Sequence, residues 1–250
     1  MNNSAIVIGA GIVGLATARA LSLKGFEVTV IERSGKAVGA SIRNFGMIWP
    51  IGQPDGMMYN RAIRSRNIWA EIADEAGFWK DECGSMHLAY HQDEWQVLQE
   101  LNEVFKSSGR SVSLKSPSEI TQKIKGVNTE NLMGALFSET ELIIDPREGI
   151  AALPAYLSRK YNVHFVWNKN VNAVETNKVW MGEEFLQADL VCICSGADFE
   201  TLYPEKFYEL KITKCKLQMM RFVNKDADFR IGTSLCGGLS LIHYESFKAA

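Results

Sequence analysis

The sequence predicts an α/β fold: a Rossmann-like domain interleaved with a second domain carrying a mixed or antiparallel sheet. Three stretches predict it. An uncharged apolar run, Ala5-Ile6-Val7-Ile8, leads into Gly9-Ala10-Gly11-Ile12-Val13-Gly14 and then an amphipathic segment with small residues at Ala16, Ala18 and Ala20; Glu27-Val28-Thr29-Val30-Ile31-Glu32 follows as a second strand ending in an acid. Far along the chain, Ala188 to Cys194 reads as a buried apolar strand that breaks at Ser195-Gly196-Ala197, as strands of a central parallel sheet do. Between and after these lie alternating segments, among them Ser85 to Tyr90 and parts of Lys211 to Tyr244 (Ile212, Cys215, Leu217, Met219), that suit antiparallel strands.

The first stretch is a βαβ dinucleotide fingerprint in full context. Gly9 permits the tight turn, Gly11 lets backbone approach a pyrophosphate, and Gly14 lets helix and strand pack closely. The helix N-terminus offers free N–H groups and a positive dipole end to phosphate. Glu32 stands where a carboxylate accepts hydrogen bonds from ribose hydroxyls. The connection from Arg33 to Gly56 is long and holds Phe45, Met47, Ile48 and Trp49 close together. Such a loop inside a compact domain is usually functional, and its apolar content suits packing against a flat ring; a loop folded on its own side chains is the alternative.

The remaining elements follow from local signals. Met58 to Ala76 is a helix with Ile63, Ile68, Trp69 and Ile72 near helical spacing and Gly77 as its stop. Its Arg61, Arg64 and Arg66 form a solvated face in preference to an anion site. Asp93 to Lys106 is a helix with Trp95, Leu98, Leu101 and Phe105 on one side, and Pro117 to Lys125 a short helix started by Ser116 or Pro117. Asp145 caps, and Pro146 opens, a helix running to about Tyr161. Strands at Val163 to Trp167 and Val171 to Thr176 follow, then a hairpin through Thr176-Asn177-Lys178 into Val179-Trp180-Met181, paired with Phe185 to Ala188.

Composition narrows the function. The 250 residues are 46% hydrophobic and 22% charged, with a formal net charge of -2, so a core can form and no basic field points to nucleic acid. No stretch reads as a signal peptide or a membrane span. Five cysteines, Cys83, Cys192, Cys194, Cys215 and Cys236, lack metal-ligand spacing and read as reduced thiols of a cytoplasmic protein, Cys192 and Cys194 packing on one face of their strand. His87, His91 and His164 read as structural, and no metal site is expected. No Ser-His-Asp constellation supports hydrolysis.

Taken in order, Gly9, Gly11 and Gly14 with Glu32, then Gly39-Ala40-Ser41-Ile42-Arg43-Asn44-Phe45-Gly46-Met47-Ile48, then Ile144-Asp145-Pro146, then Cys194-Ser195-Gly196-Ala197 resemble FAD-dependent oxidoreductases of the D-amino-acid oxidase type, the group of glycine oxidase, sarcosine oxidase and D-amino-acid dehydrogenase. The resemblance covers nearly the whole chain. It implies an FAD-binding, glutathione-reductase-type domain at residues 1–83 and 141–203 and a substrate domain at 84–140 and 204–250. It implies that Gly9, Gly11 and Gly14 face the FAD pyrophosphate, that Glu32 holds the ribose with Arg33 beside adenine, and that Ser41, Arg43, Asn44, Gly46 and Met47 run toward the flavin. Val171 would touch adenine through its backbone, and Ser195 and Gly196 would pass close to the cofactor.

The implied reaction is oxidation of a small amine or amino acid by hydride transfer to flavin N5, with no obligatory side-chain acid or base. Trp49, His243, Tyr244 and Arg43 are candidate substrate contacts, with Arg61 or Arg64 as further candidates for an anionic group. The stretch Ser41 to Pro54 and His243-Tyr244-Glu245-Ser246-Phe247 are similar to a narrower subgroup associated with phosphonate catabolism, which implies an aminophosphonate or its N-methyl form. Family members run on past this length, so a C-terminally incomplete chain is expected. The rival readings are an NAD-dependent Rossmann dehydrogenase, which Glu32 suits equally, and an inactive dinucleotide-binding fragment.

Overall fold

The computed structural model describes residues 3–216, 218–225 and 229–249. In chain order, β1 (Ser4–Ile8), α1 (Ile12–Ser22) and β2 (Glu27–Glu32) form the opening βαβ half. Then come a 3₁₀ turn at Ala40–Ile42, β3 (Met47–Ile48), a 3₁₀ turn at Pro50–Gly52, α2 (Met57–Ala76), β4 (Lys80–Asp81), β5 (Ser85–Ala89), α3 (Gln92–Ser107), β6 (Val112–Lys115), α4 (Pro117–Lys123), β7 (Gly134–Ser138) and β8 (Leu142–Ile144). The chain continues through α5 (Pro146–Tyr161), β9 (His164–Trp167), β10 (Ala173–Glu175), β11 (Lys178–Met181), β12 (Glu184–Gln187), β13 (Leu190–Ile193), α6 (Pro204–Glu209) and β14 (Ser234–Cys236), then 3₁₀ turns at Gly238–His243 and Glu245–Ala249.

Packing divides the chain into two units: residues 1–45, 75–78 and 145–220, and residues 46–74, 79–144 and 221–250. Residues 46–74 and 79–83 therefore pack in the second unit, although the sequence groups them with the opening domain.

In the first unit, β1 lies between β13 and β2, with β9 beyond β2, all parallel. The period-2 alternation of β1 sends Ile6 and Ile8 to one face, where Ile31, Val171, Val179, Ala188 and Leu202 close a core under the antiparallel β10-β11-β12 sheet. Val7 faces α1, close to Gly14. The hairpin turns at Thr176-Asn177, with Asn177 at φ +61°. Asp145 caps α5 by accepting from the Arg147 N–H at 2.8 Å, and Pro146 takes the first helical position, where no N–H is needed. The β1–β13 edge is sealed at its start by Asp189, whose carboxylate accepts from the Ser4 N–H at 2.7 Å and hydroxyl at 2.9 Å across 185 residues.

The strand at 190–193 does join the parallel sheet, but on its edge: only β1 pairs with it, so Leu190 and Ile193 are 37% and 38% exposed and Cys192 and Cys194 are half-buried, not core residues. Among the described residues, the stretch from Lys211 to Tyr244 forms no antiparallel strand. Among the described residues, 211–216 and 218–225 lack regular structure, and Ser234–Cys236 pairs in parallel with β5. An alternating run becomes a strand only when a partner supplies ladder hydrogen bonds, and Ile212 and Met220 are exposed with no such partner. Leu217 lies outside the described residues.

The second unit is built on the mixed sheet β14-β5-β7-β6, with the antiparallel β3-β8-β4 beside it. The apolar stripe of α3 (Leu98, Leu101, Phe105) packs with Ile51, Ala89, Leu136 and Phe247 on one face. Ile120 and Ile124 close over Met86, Leu88 and Ala135 on the other, so β5 is buried on both sides. The Arg110 guanidinium ties the turn after Pro50 to this core. It donates to Asp55 Oδ1 from Nε at 2.9 Å and Nη2 at 2.6 Å, to the Ile51 carbonyl at 3.2 Å and to the Gln53 carbonyl at 2.8 Å. The rings of Tyr59 and Phe105 lie 4.0 and 4.3 Å from it. Arg66 pairs with Glu82 and donates to the Thr140 carbonyl, while Arg61 and Arg64 are exposed.

Candidate functional site

In the first unit, the C-terminal ends of β1, β2 and β13 converge on a cleft of about 370 Å³. This is where ligands bind in open parallel sheets, because the loops there diverge and helix N-termini point inward. Gly9, at φ +103°, forms the turn; a Cβ there would overlap the Cys194 carbonyl oxygen. A Cβ on Gly14 would overlap the Gly9 carbonyl oxygen. Backbone packing therefore demands both glycines. Gly11 differs: it is the N-cap of α1, and a Cβ would meet only Ser41 Oγ, at 3.2 Å. The first-turn N–H groups of α1 lack intrahelical acceptors, and Ser41 Oγ takes one of them, accepting from Ile12 at 3.0 Å.

Glu32 braces the same turn. Its carboxylate accepts from the Ala10 N–H at 2.9 Å and the Ser34 N–H at 3.0 Å. Across the cleft, Arg33 pairs with Asp198 at 2.6 Å. Burial opposes ionisation of Asp198, but hydrogen bonds from the Thr201 hydroxyl and the Thr201 and Glu200 N–H groups, with Arg33 adding its charge, overcome it and hold the pKa at about 2. Asp198 escapes a reading of the sequence alone, although Ser195-Gly196-Ala197-Asp198 followed by Thr201 is the pattern of an aspartate-closed turn.

Of the residues singled out for the cofactor, Gly9, Gly11, Glu32, Arg33, Ser41 and Arg43 line this cleft, together with Val171, Ser195 and Gly196. Gly14 sits behind the turn. Asn44 donates to the Ser41 carbonyl at 2.9 Å and does not line the cleft. Gly46 and Met47 belong to the second unit, where the Gly46 carbonyl accepts from the Ile144 N–H at 3.0 Å and Met47 pairs with Ile143.

The other substrate candidates lie in the second unit. The Trp49 ring is 5.2 Å from His87 and 6.2 Å from Tyr244, and Gly52 lets it sit there, since a Cβ would come 2.6 Å from Trp49 and 2.7 Å from Tyr244. His243 is exposed, and burial pushes the Tyr244 phenol pKa up. In the same unit, Glu141 is fully buried: Oε1 accepts from the Ile51 N–H at 3.0 Å and the Thr140 hydroxyl at 2.9 Å, and Oε2 from the Ser85 hydroxyl at 2.9 Å. His87 Nε2 lies 3.2 Å from the same Ser85 oxygen. The sequence offers no signal for Glu141, which looks like one acid of a polar loop.

Burial drives the His87 pKa down to about 3. Its folded value is thus below its unfolded one, so the unfolded chain takes up the proton first, and stability rises with pH. Nothing is lost above the ordinary histidine value of 6.5, and stability falls as pH drops from there toward about 3. The expected slope is about 1.4 kcal/mol per pH unit. Urea unfolding from pH 7 to pH 5 checks this; His87→Leu should flatten the profile, and an equally steep profile in that variant counts against it.

A glycine cradle at the head of a parallel sheet, closed by an acid on the second strand, defines a dinucleotide-binding domain. The FAD dependent oxidoreductase (DAO) family model matches residues 4–239, and the chain belongs to that family. This decides for FAD over a nicotinamide cofactor. The bifunctional protein MnmC of tRNA 5-methylaminomethyl-2-thiouridine biosynthesis from Pseudomonas entomophila is 26% identical over 246 residues, 93% of this chain and 35% of that protein. The bifunctional protein ThiO/ThiG of Nostoc is 34% identical over 104 residues, 38% of this chain and 16% of its own length. Among solved structures, glycine oxidase from Geobacillus kaustophilus superposes with a TM-score of 0.69 at 20% identity, over 78% of this chain and 56% of that one. L-amino acid deaminase from Proteus vulgaris gives 0.68 at 21%, over 78% and 47%. The chain thus spans about a third of the length of the MnmC relative (35%) and little more than half of the glycine oxidase (56%). No helix of the described residues is long and apolar enough to cross a membrane.

Proposed function

We propose that this chain holds FAD in the cleft of its first unit and serves the oxidation of the C–N unit of a small amine or amino acid. The observation that carries the reading is the cradle of Gly9, Gly11 and Gly14 opening α1 on the same cleft as Glu32, Ser195 and Gly196. The pyrophosphate would lie against Gly11 and Ser41, with the Arg43 guanidinium neutralising its charge. The ribose would meet Glu32, and adenine the backbone at Val171. FAD supplies the two-electron redox chemistry when bound. The protein's part is to orient the amine, exclude water and supply charge; Arg43 of the first unit is a candidate for an anionic group of the substrate, and Trp49, His243 and Tyr244 of the second unit are further candidate contacts. Two of the similar structures are named for oxidation or deamination of amino acids, and the Ser41 to Pro54 stretch favours an aminophosphonate or its N-methyl form within that class.

The test is to purify the chain, measure flavin released on denaturation, and follow dye reduction with glycine, sarcosine, D- and L-amino acids and aminophosphonates. Stoichiometric flavin with reduction by one of these amines is the expected result. A chain that takes up no FAD after reconstitution overturns the cofactor reading, and flavin without reduction by any of them overturns the substrate reading. Glu32 also predicts dinucleotide choice: its carboxylate repels a 2′-phosphate, so calorimetry should show no NADP binding, and tight NADP uptake counts against the role given to Glu32.

A further inference from the structure

A second concavity of about 560 Å³ lies in the first unit, on the other side of the loop that borders the cofactor cleft. Its size falls within the range of small-molecule sites, roughly 300–1,000 Å³. One wall is aromatic: Phe165 and Trp167, two residues apart on β9 and therefore on the same face, stack with centroids 5.4 Å apart and planes within 9°. The opposite wall is one stripe of α5, where Ala151, Pro154 and Ala155 keep the relief low. Pro154 has no N–H, so the Ile150 carbonyl one turn earlier, also on this wall, loses its helical donor. Lys36 and Arg147 stand at the rim, both exposed. Neither makes an ion pair among the described residues, and no acidic side chain lines the groove.

Apolar walls with two cations at the rim favour an aromatic anion: its ring packs against the outer edges of the Phe165–Trp167 stack and against the alanine stripe, and the charge sits between the two rim cations. We propose that this groove is a second ligand site, separate from the cofactor cleft, that takes a small aromatic carboxylate. The two sites share the turn Ala40–Ile42, which presents Ser41 to the cofactor cleft and Ile42 to the groove.

The test is isothermal titration of the chain with 2-naphthoate and with its uncharged counterpart 2-naphthamide, in the presence and absence of saturating ADP to occupy the cofactor cleft. Saturable binding of 2-naphthoate is expected, with the amide about tenfold weaker, a loss of one charge contact. ADP should not displace it. The double variant Lys36→Gln/Arg147→Gln should bring the carboxylate down to the affinity of the amide. Ala151→Phe, which fills the groove from an exposed helix position, should abolish both while the circular dichroism spectrum and flavin content stay unchanged. Absence of saturation at millimolar 2-naphthoate, equal binding of acid and amide, displacement by ADP, or undiminished binding in Ala151→Phe would each overturn the proposal.

Discussion

Gly14→Ala should lower the Tm of the chain by roughly 6–12 °C and remove bound flavin with it, a cost of about 3 kcal/mol at the upper end of overpacking. The added methyl has nowhere to go, because the atom it meets is the Gly9 carbonyl oxygen, held by the turn that joins β1 to α1. A clash with a flexible side chain can relax, whereas relief of this one must move the helix off the sheet. Gly11→Val separates this packing effect from the cofactor effect. At Gly11 the backbone is extended, with φ −72° and ψ 175°, a region that valine accepts, and only Ser41 Oγ is near. That variant should keep its circular dichroism spectrum, melt close to the flavin-free parent and lose FAD, since the branched side chain fills the phosphate path. Visible flavin absorbance per chain and a thermal melt distinguish the two. A Gly14→Ala chain that melts like the parent contradicts the packing, and a Gly11→Val chain with stoichiometric flavin contradicts the cofactor site.

Arg110→Ala should cost about 1–3 kcal/mol, the range for leaving buried acceptors without their donor. The side chain is 2% exposed, and its departure leaves the Ile51 and Gln53 carbonyls without their donor, while the Asp55 carboxylate, 47% exposed, returns to water. Arg110→Lys should recover little, because an ammonium cannot reach a carboxylate and two carbonyls from a plane sandwiched between Tyr59 and Phe105. Urea unfolding with an unchanged m-value reads the loss. A lysine variant as stable as the parent would mean that charge alone, without the planar fork, holds the turn.

What the sequence makes legible is local. The strand-turn-helix at Ser4 to Ser22, the Asp145-Pro146 start of α5 and the Thr176-Asn177 turn are each specified by a few neighbouring residues: a fixed glycine spacing, a cap, a residue tolerant of positive φ. His87, read as structural because it and His91 straddle a strand end and do not ride a helix, lies inside β5 and is 1% exposed. Long-range properties are not legible. Leu190 to Ile193 looks like a core strand because its side chains are apolar, yet exposure is set by how many strands flank it, which no local window contains. The alternation of Ile212 and Cys215 fails for the same reason. Glu141 and Asp198 stay hidden because their partners are mostly backbone N–H groups and hydroxyls brought in by folding.

The pairing of Ser4 with Asp189 has a consequence for how the molecule is made. The strand β1 is translated 185 residues before the partner that pairs with it through Ser4 and Asp189, and that edge stays bare until the residues around 190 have been made. Contacts so distant in sequence close slowly, and an open strand edge on a nascent chain invites pairing with other chains. Synthesis of this protein therefore passes through a long interval in which an apolar inner strand is half-complemented, and the yield of native protein depends on what shields that strand in the meantime.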